Sequence, residues 1–174
     1  VICIARYTRE GFDHRAGVGD FCLNAVELDM VKNVSKAFRD AGKKVVVVIN
    51  AGNPIEVASW RDYVDGILYI GLAGQELGNA VADVISGKVN PSGKLATTFS
   101  VDYKSIPSSK NFPGNAQEVD YYEDIYVGYR FFETFDVETA YPFGFGLSYT
   151  TFEYSDFKMT GNAADGTLSV SVTV

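Results

Sequence analysis

The run Val45-Val46-Val47-Val48-Ile49 decides the fold class of this chain of 174 residues. Five consecutive β-branched residues without polar alternation are typical of a strand that is covered on both faces in a parallel sheet. Similar apolar runs occupy residues 1–5 and 66–70. We therefore predict three buried strands.

Helical patterns alternate with these runs. Residues 23–41 carry apolar side chains at helical spacing, and Gly42 ends the pattern. Further helices are predicted over residues 55–63 and over residues 76–86, the latter ending at Gly87. The alternation predicts an α/β fold with a doubly wound, mostly parallel sheet, that is, an α/β sandwich of the flavodoxin-like kind.

The sequence pattern changes after residue 90. Residues 95–128 are rich in loop signals, and residues 126–132 favour an extended segment. From residue 150 apolar and polar residues alternate in two runs, which predicts the first two strands of a β-sandwich. Because two strands alone are marginally stable in water, we expect the chain to stop within a domain.

Composition restricts the possible partners. The net charge of −7 and the pI near 4.7 argue against nucleic acid and against an anionic membrane surface. No signal-peptide pattern is present, and the chain begins in mid-strand as if cut internally, so the compartment stays open, with the cytoplasm favoured over secretion. Cys3 and Cys22 make no metal spacing; we expect buried free thiols, with a disulfide between them left open. No metal or cofactor is expected.

A charged segment, residues 8–15, lies between the first predicted strand and the first predicted helix. Its sequence is Thr-Arg-Glu-Gly-Phe-Asp-His-Arg, and it contains the only histidine of the chain. Ligands bind at the carboxyl ends of the strands in open α/β sheets, which makes this loop a candidate site. From composition alone, however, a solvated loop without a function is the favoured interpretation.

Four motifs, in order and at matching intervals, resemble those of glycoside hydrolase family 3, the β-glucosidase family. They are Gly71-Leu-Ala-Gly-Gln-Glu76, Asn90-Pro-Ser-Gly-Lys-Leu95, Asp124-Ile-Tyr-Val-Gly-Tyr-Arg130 and Tyr141-Pro-Phe-Gly-Phe-Gly-Leu-Ser-Tyr-Thr-Thr-Phe152. The resemblance implies that residues 1–147 are the C-terminal α/β-sandwich domain of that family and that residues 148–174 are part of a fibronectin-type-III-like β-sandwich. Ala96 and Asp124 depart from the family pattern, which commonly has proline and glycine at those positions.

The same resemblance assigns the general acid/base to Glu10, the glutamate of a Glu-Gly-Tyr-Asp-Arg-like loop. A retaining glycosidase needs two carboxyl groups about 5–5.5 Å apart. The family places the second, an aspartate nucleophile, in a preceding (β/α)8 barrel that also binds most of the sugar. The resemblance therefore implies a retaining β-glucosidase acting on terminal non-reducing β-D-glucosyl residues of a glucoside or oligosaccharide. This chain would need the barrel as a partner and be inactive alone.

Several alternatives stay open. The chain could be a non-catalytic module that packs on a glycosidase barrel, or a flavodoxin-like domain that binds a small molecule, although no motif supports the latter. Glu123 is a lesser candidate for the acid/base, and Glu76 is interpreted as structural. His14 either tunes Glu10 or lies exposed and idle, and Asp13 and Arg15 could pair. Glucosidase, xylosidase and N-acetylglucosaminidase specificities are not separated, although a Glu10-type loop disfavours the last.

Overall fold

Three parallel strands form the centre of the protein. In the computed structural model, which describes residues 1–7, 13–115, 117–162 and 164–174, these strands are β1 (Ile2–Ala5), β2 (Val46–Asn50) and β3 (Gly66–Tyr69), hydrogen-bonded in the order β1-β2-β3. Ile4 pairs with Ile49, and Ile49 pairs with Tyr69. All three predicted strands are thus confirmed.

Strand β2 is covered on both faces, as its β-branched run predicts. Val47 and Ile49 are fully buried on one face, and Val48 is buried on the other. Strand β1 differs, because Ile2 and Ile4 are buried while Cys3 and Ala5, which alternate with them, are exposed. Cys3 is therefore exposed and Cys22 half-buried, both as free thiols, so the prediction that both are buried is wrong.

Helix α1 (Ala25–Asp40) connects β1 with β2 and confirms the first predicted helix. Its N-terminus is a capping box, in which the Asn24 side chain accepts from the Glu27 N–H and the Glu27 carboxylate accepts from the Asn24 N–H, both at 2.9 Å. Gly42, with a φ of +67°, follows the helix in the left-handed region that a side chain rarely adopts. Val31 is the fully buried apolar residue that packs this helix onto the core.

The helix predicted over residues 55–63 does not form. The structure has only a 3₁₀ turn, Arg61–Tyr63, after an irregular segment. Ile55, Val57 and Trp60 are all essentially buried there, a spacing that puts three side chains into the core from non-helical backbone. The Glu56 carboxylate accepts from the Ser59 N–H at 2.6 Å and from its hydroxyl at 2.7 Å, and this local turn competes with helical hydrogen bonds.

The remaining elements follow in chain order. Helix α2 (Leu77–Ile85) confirms the third predicted helix. Helix α3 (Tyr129–Thr134) begins after Gly128 where an extended segment was predicted; the rings of Phe131 and Phe135 lie 5.2 Å apart one helical turn from each other and favour the helix. Strands β4 (Phe99–Ser100) and β5 (Thr139–Tyr141) pair antiparallel.

The two strands predicted near the end of the chain are present as an antiparallel hairpin of β6 (Ser155–Asn162) and β7 (Thr167–Thr173). Every residue of both strands whose burial is described is exposed. Met159 pairs with Val170, so the apolar side chains share one face of the hairpin. That face is exposed along both strands, and the hairpin has no further hydrogen-bonded strand among the described residues.

The fold is therefore a small mixed α/β domain with a three-stranded parallel sheet and few helices, followed by a hairpin. Its core joins the inner face of the sheet to α1 and to Trp60. The described parallel strands run in sequence order, so the reversal of order that defines a doubly wound sheet is not seen among them. No helix of the described residues has the length and apolarity to cross a membrane.

Candidate active site

The predicted acid/base, Glu10, lies outside the described residues, together with the rest of residues 8–12. The structure does describe the two stems of this segment, namely residues 6–7 before it and residues 13–15 after it. The first stem leaves β1 at the carboxyl edge of the sheet, where the Arg6 N–H donates to the Asn50 carbonyl at 3.0 Å. This is the edge at which α/β proteins bind ligands.

The side chain of Arg6 anchors the first stem. It is only 5% exposed, and its two terminal nitrogens donate to the two carboxylate oxygens of Glu27 at 2.7 and 2.8 Å. Its Nε donates to the Asp20 carbonyl at 2.6 Å. A two-pronged bond of this kind between guanidinium and carboxylate fixes orientation as well as position. Arg6 therefore ties the end of β1 to the N-terminus of α1.

Glu27 is held ionised by these contacts. Partial burial raises the pKa of its carboxyl group, but the hydrogen bonds from Arg6 and from the Asn24 backbone, together with the charge of Arg6, outweigh burial and bring the pKa below its usual value. The carboxylate thus serves both the helix cap and the buried cation.

The second stem is anchored by the carboxylate of Asp20. One oxygen accepts from the Arg15 N–H at 2.7 Å, and the other binds His14 Nδ1. Partial burial raises the pKa of Asp20, but the bond from Arg15, the bond and charge of His14 and the charge of Arg6 together hold it below its usual value. Asp20 is therefore an ionised carboxylate with two close donors.

The expectation that His14 is exposed is wrong. Its side chain is 11% exposed because Asp20 draws the ring inward. Nδ1 faces the Asp20 carboxylate, and Nε2 is the other ring nitrogen. Nε2 is buried and has no hydrogen-bond partner among the described residues. Arg15 likewise bonds through its backbone to Asp20, and no ion pair with Asp13 is found in the described part of the chain.

Sequence reasoning missed Arg6, Asp20 and Glu27. One signal was available, because Asn24 with a glutamate three residues later is a capping-box pattern that predicts a committed carboxylate. Asp20 and Glu27, which bond to Arg6, lie 14 and 21 residues from it in sequence, so these contacts depend on the tertiary fold and are not predicted by any local sequence pattern.

The other acidic candidates lie in ordinary surroundings. Glu76 precedes α2 and accepts from the Asn79 side chain at 2.5 Å, in keeping with a structural role. Glu123 is half-buried, and its backbone carbonyl accepts from the Tyr126 N–H at 2.7 Å. In the parts of the chain that the structure describes, no three His, Cys, Asp or Glu side chains cluster as a metal site would require.

Two of the sequence motifs, Asn90–Leu95 and Tyr141–Phe152, contact each other. The Asn90 side chain accepts from the Tyr149 N–H at 2.9 Å and from the Ser148 hydroxyl at 3.0 Å, and the Tyr149 hydroxyl donates to the Val84 carbonyl at 2.8 Å. Gly146 passes so close that a Cβ on it would lie 2.6 Å from the Gly93 carbonyl oxygen. Gly146 and Asn90 are thus explained by one close contact between the two chain segments.

The profile of the glycosyl hydrolase family 3 C-terminal domain matches residues 1–149. The chain belongs to this family. The family resemblance of the motifs is thereby confirmed, and the hairpin β6–β7 falls beyond the matched residues.

Named relatives agree with the family assignment. The thermostable β-glucosidase B of Acetivibrio thermocellus is 40% identical over 171 residues, which cover 97% of this chain and 21% of that protein. An exo-α-(1→6)-L-arabinopyranosidase of Bifidobacterium longum is 40% identical over 165 residues, covering 95% of this chain and 21% of that protein. The chain spans about a fifth of the length of these relatives.

Solved structures give the same result. β-Glucosidase 3B from Thermotoga neapolitana, in complex with glucose, superposes with a TM-score of 0.88 at 55% identity over 92% of this chain and 23% of that one. A family 3 β-glucosidase of Bifidobacterium adolescentis superposes with a TM-score of 0.80 at 41% identity over 94% of this chain and 23% of that one.

Proposed function

We propose that this chain is part of a retaining β-glucosidase that hydrolyses terminal non-reducing β-D-glucosyl residues, and that Glu10 is its general acid/base. The observation that carries the proposal is the 55% identity, over nearly the whole chain, to a β-glucosidase solved with glucose. The stems of the Glu10 segment at the carboxyl edge of the sheet add support, because a ligand there is within reach of that segment.

The chemistry divides between two carboxyl groups. An aspartate of the (β/α)8 barrel attacks the anomeric carbon, while Glu10 donates its proton to the leaving oxygen. Glu10 then removes a proton from the water that attacks the glycosyl-enzyme, which releases glucose with retained configuration. Because residues 1–174 supply only one of the two groups, this chain by itself is expected to show no turnover of an aryl β-glucoside.

The proposed domain assignment is residues 1–147 as an α/β-sandwich domain with a doubly wound, flavodoxin-like sheet, and residues 148–174 as part of a fibronectin-type-III-like β-sandwich. Two features support this assignment. Cys3 and Ala5 are exposed on one face of β1, and the strands of the hairpin are exposed along their length, so both surfaces are expected to be covered by further elements. The barrel is proposed to pack on this domain, and exposed rings such as Tyr121, 85% accessible, and Tyr122, 75% accessible, support such a surface.

The test is Glu10→Gln in the full-length enzyme that contains this chain, assayed with an activated aryl β-glucoside with and without azide. Glutamine removes the proton donor and base but keeps the size, so turnover should fall by a factor of about 100 to 10,000. Azide, which needs no base, should restore turnover and give a β-glycosyl azide. The matched control is Glu123→Gln, which should leave turnover within a few-fold.

Unchanged turnover in Glu10→Gln, or loss without azide rescue, would refute the role of Glu10 and favour a non-catalytic module. The identity to an arabinopyranosidase supplies a second candidate substrate. Comparing kcat/KM on aryl β-D-glucoside with that on aryl α-L-arabinopyranoside decides between the two sugars.

A further inference from the structure

The two stems of the Glu10 segment meet at one residue, Asp20. The carbonyl of Asp20 accepts from Arg6 Nε on the first stem, and its carboxylate binds His14 Nδ1 and the Arg15 N–H on the second stem. We call Arg6, His14, Arg15 and Asp20 the stem clasp. Glu27 holds the clasp against α1 through its paired bonds to Arg6.

We propose that Asp20 is a positioning residue for the general acid/base, and that it acts by fixing the second stem of the Glu10 segment to the first. The inference rests on the proposed role of Glu10. A displacement of about 1 Å in a catalytic group can cost about 100-fold in rate, so the anchoring of both stems bears directly on proton transfer. Asp20 contacts both stems, so its effect should appear through Glu10.

The chemistry of the clasp makes the side chain of Asp20 difficult to replace. Its two oxygens meet two different donors, one from an imidazole and one from the backbone, at a partly buried position. Alanine leaves both donors unpaired and frees the second stem. Asparagine keeps the volume and one acceptor for the Arg15 N–H, so it should weaken the clasp only in part.

Substitution leaves the first stem in place. Arg6 bonds to the carbonyl of Asp20 and to Glu27, and neither group depends on the side chain at position 20. Asp20→Ala and Asp20→Asn therefore release the second stem selectively, and they are not expected to disturb the anchor between β1 and α1.

The experiment uses the full-length enzyme and two aryl β-glucosides, phenyl with a poor leaving group and 2,4-dinitrophenyl with a good one. The value of kcat/KM reports cleavage of the glycosidic bond, which needs protonation only for the poor leaving group. Asp20→Ala should lower kcat/KM about 100-fold for the phenyl glucoside and only a few-fold for the activated one, through kcat and not KM. Asp20→Asn should lower the phenyl value about 10-fold. Asp40→Asn, which removes a carboxylate from an exposed pair with Lys36, is the matched control and should change neither value.

Glu10→Gln separates the two proposals. If Glu10→Gln leaves the ratio between the substrates unchanged, the proposed function fails and this inference fails with it. Suppose instead that Glu10→Gln changes the ratio of the two kcat/KM values, while Asp20→Ala lowers kcat/KM equally for both substrates or for neither. Only the positioning role of Asp20 is then overturned. In the Glu10→Gln background, Asp20→Ala should cost little more, because the group that it positions is already gone. If Asp20→Ala does not fold, Asp20→Asn carries the same comparison, and an unchanged ratio there overturns the inference.

Discussion

Replacing Glu27 with glutamine tests the pairing that anchors β1 to α1. The Arg6 side chain is only 5% exposed, so it is largely desolvated, and it donates two hydrogen bonds to the Glu27 carboxylate at 2.7 and 2.8 Å. Removing one partner of a buried ion pair costs about 3–5 kcal/mol, and the remaining amide oxygen returns about 1 kcal/mol through one neutral hydrogen bond. We therefore expect a loss of about 3 kcal/mol in the free energy of unfolding. Glutamine still completes the capping box, so the loss reports the pairing with Arg6.

The assay follows the fluorescence of Trp60, the single tryptophan of the chain and fully buried. For a protein of this size, 3 kcal/mol should lower the Tm by about 9 °C. Asp40→Asn breaks an exposed pair worth less than about 1 kcal/mol and is the control. Because the pKa of Glu27 is lowered in the folded state from its ordinary value of 4.5, its contribution is fully present above about pH 4.5 and is lost as the pH falls through the folded value. The difference in Tm between the unsubstituted protein and Glu27→Gln should therefore shrink below about pH 4. A Tm within 1 °C of the control at pH 7, or a difference independent of pH, would refute the reasoning.

Two further predictions concern the contact between the sequence motifs. Gly146→Ala should lower the free energy of unfolding by about 1–3 kcal/mol, since its Cβ would lie 2.6 Å from the Gly93 carbonyl oxygen; Gly93→Ala, with no atom within 4 Å of its Cβ, should be near neutral in the same urea titration. Asn90→Ala removes the acceptor for the Tyr149 N–H and the Ser148 hydroxyl and should lower the urea midpoint by the equivalent of about 1–2 kcal/mol. A midpoint equal to that of Asn79→Ala, which loses one exposed side-chain bond to Glu76, would contradict the assigned role of Asn90.

The central elements could be predicted from the sequence because their patterns are local. The apolar run Val45–Ile49, which includes most of β2, contains no polar residue that would face solvent. In α1 the apolar residues form one stripe, and the helix is bounded by the capping Asn24 and by Gly42. The helix predicted over residues 55–63 is wrong, and the structure has only the 3₁₀ turn Arg61–Tyr63 there. Ile55, Val57 and Trp60 all face the core without a helix, and tertiary packing decided their backbone.

The candidate site was predicted only in part. The family resemblance predicts Glu10 as the site residue, and the strand pattern predicts that its segment follows β1 in the chain. The stem clasp did not follow, because its bond between Arg6 and Asp20 joins residues 14 positions apart. His14 was expected to be solvated because it is surrounded by charges in sequence, but the carboxylate that buries it comes from six residues away. Ion pairs between residues that are distant in sequence cannot be predicted from the local pattern of charges.

The hairpin β6–β7 has a practical consequence for anyone who prepares this domain. Its strands are exposed along their length, they alternate apolar and polar residues, and each presents an open edge. Such an edge is a template for adding strands from neighbouring molecules, which is how soluble chains begin to aggregate. A version that ends near residue 150 keeps the whole range matched by the family and removes that template, so it should stay dispersed at concentrations at which the longer chain self-associates.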